Sequence, residues 1–262
     1  MRLLVVSLML VACGRVSFDG RTADAGFGDA GTADVPSARC PAGRGPTMTS
    51  TASGCIDNTE VTAAQYAAFV AAAVPVATDG RCAFNTTYDV DPISPTTGHQ
   101  PVVGIDWCDA RDYCTWAGKR LCGRIGGGPV TDVAAGEWSQ ACSQGGLYTH
   151  PYATPASDAV DPDACYLDLP TSLPGEQREV GSFPACKVTG TDIVDLLGNV
   201  GEWIDACDTS GATGRDDVCG VIGGVWYFGS SYVDCTFIDP AVNGPLTRGA
   251  PNKATGFRCC AD

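Results

Sequence analysis

Apolar positions follow a helical period in only three stretches of this chain, all of them well after its start. In the first, Thr62 can cap the segment Ala63–Ala73, where Tyr66, Phe69 and Val70 fall on one face, and Pro75 closes it. In the second, Asp106 is placed to cap a helix from Trp107 to Ala117. Its apolar stripe is Trp107, Ala110, Tyr113, Cys114 and Ala117, and Gly118 stands where a helix commonly ends. A third, shorter helix is predicted around Ala134–Cys142. Beyond it come many glycines and prolines, short apolar runs and no long periodic segment. The pattern predicts a loop-rich α+β domain whose order depends on cross-links as much as on regular structure.

The opening of the chain reads differently. Met1-Arg2 supplies a positive charge, and Leu3 to Val11 is a nearly all-apolar run of nine residues, too short to cross a bilayer but suited to the core of a signal peptide. Residues 1–12 are therefore read as a signal peptide. Leu10-Val11-Ala12-Cys13 resembles a bacterial lipobox, in which Cys13 would be acylated and tether the chain to a membrane; an ordinary cleaved signal is the alternative. Gly14 after the cysteine favours the outer membrane over retention at the inner one, by resemblance to known sorting patterns. From Gly14 to Arg39 the chain is rich in Gly, Ala, Asp and Thr and cannot bury enough surface to order itself. Residues 13–39 are thus read as the acylated cysteine and a flexible spacer with a span on the order of 25–30 Å. The globular domain is placed at residues 40–262.

Charge and cysteines narrow the chemistry. Thirty Asp and Glu against sixteen Lys and Arg leave a net charge of −14. That sign opposes nucleic-acid binding, which replaces condensed counterions with a positive field, and opposes adsorption to anionic lipid. Fifteen cysteines are too many for a reducing cytosol. Setting Cys13 aside leaves fourteen, so seven disulfides is the simplest accounting, with Cys40–Cys55 a local candidate. The chain has two histidines and no Cys-x-x-Cys pair, which argues against zinc and iron–sulfur centres.

Several segments resemble, in one order, the motifs of the formylglycine-generating enzyme (sulfatase-modifying factor) family. They are Asn58-Thr59-Glu60-Val61-Thr62; Pro101 to Trp107, followed by Tyr113 to Leu121; Glu137-Trp138 with Ala141-Cys142; and Val180 to Pro184. After these come Asp195 to Trp203, Gly223-Gly224, and Gly256-Phe257-Arg258-Cys259-Cys260. The resemblance spans roughly residues 55–262. It implies the formylglycine-generating-enzyme fold, a C-type-lectin-like variant with little regular secondary structure, and disulfides joining Cys114 to Cys259 and Cys142 to Cys235. Cys259 and Cys260 are adjacent and strained as mutual partners, so two different partners are expected.

The resemblance also implies a structural calcium ion, with side-chain oxygens from Asp195 and Glu202 and backbone carbonyls from Gly198 and Val200. Several hard oxygens in an adaptable loop suit Ca²⁺, while a tight turn with a buried, hydrogen-bonded glutamate is the alternative. A second family calcium site, near Cys165–Tyr166, lacks its usual asparagine here. Catalysis in the family needs Cu(I) held by two soft thiolates shortly after the Gly-Gly pair. In this chain those positions are Phe228 and Val233, the family's tryptophan between Asn199 and Glu202 is Gly201, and the serine after Gly-Gly is Val225. No catalytic residue and no copper are expected, and the chain is read as a pseudoenzyme.

Trp226, Tyr227, Phe228 and Tyr232 cluster where the family's groove accepts an extended peptide. Aromatics suit peptide or glycan contact because they bury much area at low entropic cost. The reading is an exported, membrane-tethered binding module for an extracytoplasmic peptide or glycan. The alternatives are a divergent oxidase acting on a protein cysteine and a purely structural envelope lipoprotein.

Overall fold

A computed structural model describes residues 40–77, 80–91, 96, 98–167, 177–229, 233–238 and 246–262. Cys13 with the segment before it, the spacer and Tyr232 lie outside the described residues. The first element is a hairpin of β1 (Met48–Thr51) and β2 (Gly54–Asp57), closed by a two-residue turn with Thr51 opposite Gly54. Gly54 has φ +121°, and a Cβ there would come within 2.8 Å of the Ala261 carbonyl oxygen, so the position requires glycine.

Helix α1 (Ala63–Ala71) begins in a capping box: Thr62 Oγ1 accepts from the Gln65 N–H, and Gln65 Oε1 accepts from the Thr62 N–H. It stops short of the predicted Ala73, which is left-handed at φ 50°. Tyr66 and Phe69 are buried. Val70 is not, at 40 % exposed, because it borders an open cleft instead of facing a neighbouring element. Helix α2 (Trp107–Trp116) carries a second capping box, between Asp106 and Asp109. Its predicted stripe is buried, but so are Cys108, Asp109 and Asp112, which the apolar pattern alone would have placed outside. The third predicted helix is broken. A 3-10 turn at Val133–Ala135 ends at Gly136, whose extended backbone restarts the chain as α3 (Glu137–Cys142).

Among the described residues, the strands form two small sheets. The first is antiparallel, with strand order β1-β2-β7-β3, where β3 is Arg120–Leu121 and β7 is Cys259–Ala261. The second has order β5-β4-β6: β5 (Cys219–Ile222) runs antiparallel to β4 (Gly201–Cys207), and β6 (Thr255–Phe257) runs parallel to it. Successive strand residues face opposite cores. Trp203, Val221, Phe257 and Cys259 join the core that holds α1 and α2, whereas Ile204, Ile222 and Cys260 join the one that holds α3.

Seven disulfides cross-link this frame: Cys40–Cys55, Cys82–Cys108, Cys114–Cys259, Cys122–Cys260, Cys142–Cys235, Cys165–Cys186 and Cys207–Cys219. They use all fourteen cysteines from Cys40 onward.

Candidate functional site

The loop from Asp195 to Val200 leads directly into β4 and turns through three left-handed residues, Asp195 (φ 55°), Gly198 (φ 77°) and Asn199 (φ 54°). A Cβ at Gly198 would lie 2.5 Å from the Tyr166 carbonyl oxygen, so the close approach of residues 165–167 depends on this glycine. The Gly198 N–H donates to the Gly223 carbonyl (2.8 Å), which docks the Gly223-Gly224 turn on the loop. The Trp226 N–H donates to the Asn199 carbonyl (3.2 Å) and ties in the aromatic segment that follows.

Under the loop lies a buried charge cluster. The Arg258 guanidinium, fully shielded from solvent, donates from Nε to both oxygens of Glu202 (2.9 and 2.8 Å) and from Nη2 to Glu202 Oε1 (2.8 Å). Nη2 also donates to the carbonyls of Val194 (2.9 Å) and Asp195 (3.1 Å), and Nη1 to that of Asp57 (3.0 Å). The Trp138 indole N–H donates to Glu202 Oε2 (2.7 Å). Asn199 Nδ2 donates to Glu60 Oε1 (2.9 Å), and Asn199 Oδ1 accepts from the Arg178 N–H (2.8 Å). The second oxygen of Glu60 has no partner, and the carboxyl is completely buried. Burial, reinforced by Asp195, pushes the Glu60 pKa well up. Burial also raises Asp195 to about 6, opposed by the Gly181 N–H that Asp195 Oδ2 accepts. Burial pulls Arg258 down, but Glu202 outweighs it and the net shift is upward.

Asp195, Gly198, Val200 and Glu202 therefore belong to one loop and strand start, yet the cluster does not fit a calcium shell built on Glu202. A carboxylate has about four lone-pair positions. Arg258 and Trp138 make two contacts to each oxygen of Glu202, with the Arg258 Nε–H shared between the two, so both oxygens are already engaged by protein donors. Among the described residues, no three His, Cys, Asp or Glu side chains are grouped so as to hold a metal.

The positions that the resemblance assigns to copper are packed with carbon. Val233 is 1 % exposed in the core around α3, and a Cβ on Gly224 would touch both of its methyl groups at 2.9 Å. Phe228 is half-buried, stacked on Tyr227 (centroids 5.8 Å) and edge-on to Phe237 (5.5 Å). Cys235, the nearby thiol, is bonded to Cys142. Gly201 and Val225 fit together in the same region: a Cβ on Gly201 would lie 2.6 Å from Val221 Cγ1 and 3.5 Å from Val225 Cγ1. The aromatic residues divide. Trp226 is buried with Val103, Tyr166, Val200, Val225 and Ala254, whereas Tyr227 and Phe228 keep partial exposure. Arg178, exposed, lies over the Tyr166 ring at 5.3 Å.

Residues 8–262 match the sulfatase-modifying factor enzyme 1-like domain. The chain belongs to that family. It is 29% identical to the formylglycine-generating enzyme of Mus musculus over 184 residues, covering 63% of this chain and 45% of that protein. It is 30% identical to the enzyme of the same name from Thermomonospora curvata over 186 residues, covering 63% of this chain and 56% of that one. The inactive Cα-formylglycine-generating enzyme 2 of Bos taurus is 34% identical over 111 residues, covering 39% of this chain and 32% of that protein. The chain thus spans about half the length, or less, of the curated relatives it matches. Among solved structures, PvdO from Pseudomonas aeruginosa superposes with TM-score 0.54 at 17% identity, covering 83% of this chain and 89% of PvdO. CarF superposes at 0.53 and 19% identity, covering 80% and 87%. Both share the fold.

The sequence motifs alone assign no role to Arg258 within Gly-Phe-Arg, nor to Glu60, Trp138 and Asn199 around it. The available signal was chemical: an arginine between Phe257 and two cysteines, in a segment apolar enough to be buried, must find a carboxylate.

Proposed function

We propose that this domain is an extracytoplasmic binding module that takes an extended peptide against the face carrying Tyr227 and Phe228, without the oxidase chemistry of its family. The observation that carries the reading is the fate of the thiols. All fourteen cysteines from Cys40 onward are paired, and Phe228 and Val233 stand packed where two thiolates would be needed for Cu(I). Tyr227 and Phe228 supply partly exposed rings next to a turn tied to the Asn199 carbonyl by the Trp226 N–H, and aromatic rings make contact at low entropic cost. Trp226 supports them from behind. That one family relative is itself named inactive is consistent with this reading. Seven disulfides suit an oxidising compartment, so the chain is read as exported, with Cys13 as its lipid anchor and the outer membrane as its address.

The test has two arms. Thiol titration of the folded, non-reduced full chain, with Cu(I) competition against a chromophoric chelator and an oxygen-uptake assay on a cysteine peptide, should give no copper uptake and no turnover. Two free thiols that bind Cu(I) would sink the proposal. Second, panels of extended peptides and of glycans should separate the ligand classes. Saturable peptide binding that Tyr227→Ala weakens at unchanged stability supports the assignment; glycan binding alone, or no binding, replaces it with a lectin-like or a purely structural role.

A further inference from the structure

Calcium and arginine can do the same job in a loop of this kind: gather backbone carbonyls and a carboxylate around a positive charge. Arg258 already does so. Its guanidinium takes the carbonyls of Val194 and Asp195 at the start of the loop, the carboxylate of Glu202 at its end, and the Asp57 carbonyl of β2 beneath it. The charge is fixed in place, because Arg258 is fully buried and follows β6, which is paired with the same β4 that carries Glu202. Glu202 is also fully buried and is held from the far side by Trp138.

We propose that the Asp195–Glu202 loop is closed by the Arg258 guanidinium as its built-in cation, so that folding of this domain is independent of calcium. The guanidinium presents five N–H donors in a planar fork and, unlike a metal ion, cannot be removed by a chelator. Glu202 is paired with Arg258, and Asp195 Oδ2 accepts from the Gly181 N–H, so both ends of the loop are tied to protein groups. The inference does not rest on the ligand-binding reading of the aromatic face, and either can fail without the other.

The experiment is thermal and chemical unfolding of the full-length protein after exhaustive treatment with a calcium chelator, and again with calcium restored to about 10 mM. That is roughly ten to a hundred times the Kd of weak extracellular calcium modules. Unchanged melting curves are expected. If an ion held the loop, saturation at about a hundred times Kd would favour the folded state about 100-fold and raise the melting temperature visibly. A calcium-dependent rise, or a saturable heat of calcium binding in the untreated chain, overturns the proposal. Arg258→Met provides the second arm. It should lower stability by the same amount with chelator and with calcium; destabilisation seen only with chelator would return the loop to a metal. If that variant does not fold, the unmodified chain still decides.

Discussion

Single buried carboxylates set how this protein should respond to pH. Burial raises Asp57 to about 6 against the pull of Lys119, and raises Asp109 to about 8 by burial and then by Asp106. Both exceed the ordinary aspartate value of about 3.9, so the folded state binds protons that the unfolded chain has released, and stability falls as pH rises from that ordinary value up to these raised ones. Asp217 works in the opposite sense. Its pKa is lowered by Arg81, so its contribution is lost as pH falls below the usual carboxylate range. Unfolding midpoints measured across pH should therefore peak at about pH 4 and decline from there towards about pH 8. Asp109→Asn, which keeps an acceptor for Asn85 or for the Asp106 N–H, should flatten the upper part of that decline. Gly201 gives a second prediction at this scale. Restoring the tryptophan that the family resemblance places there would drive a side chain into Val221, 2.6 Å from the first added carbon. Gly201→Trp should lose about 1–3 kcal/mol or more by overpacking, measured by denaturant titration, and Val221→Ala in the same chain should recover part of it.

Legibility in the sequence changes sharply from one element to the next. The α1 and α2 starts could be read in advance because a cap and a periodic stripe coincide there. The capping boxes at Thr62 and Asp106 fulfil that local logic, and Thr62→Ala should cost about 1 kcal/mol in unfolding free energy. The α3 region was legible only in part, since Gly136 splits it and a three-residue 3-10 turn carries no period of its own. The sheets were not legible at all. Strands of two to seven residues are too short to show an alternation, and their pairing joins residues as distant as Ile56 and Cys260. The Asp195–Glu202 segment was recognised by its motif, but what its carboxylate binds was not. That depends on Arg258, some 56 residues later in the chain, and on Trp138, 64 residues earlier. Partners brought together only by tertiary structure leave no mark in local sequence.

Across the whole molecule, cross-links substitute for regular structure. In the loop-closure picture, the Cys142–Cys235 bridge, with a separation of 93 residues, removes about 4–5 kcal/mol of unfolded-state entropy, against about 3 kcal/mol for Cys207–Cys219 at 12. Replacing both cysteines of a pair by alanine should follow that order in denaturant midpoint, with the long loop costing more. The two longest closures, Cys114–Cys259 and Cys122–Cys260, both end on β7, and adjacent residues on a strand point to opposite faces. Neighbouring cysteines therefore rivet the two cores to one strand. This has a consequence for biosynthesis. Cys114 and Cys122 appear 145 and 138 residues before the thiols they need, roughly ten seconds or more at ordinary rates of translation. Throughout that interval they stand among other cysteines able to capture them. The chain should thus depend on thiol–disulfide reshuffling to mature, and a pulse-chase without an isomerase should trap mispaired species that the finished fold no longer contains.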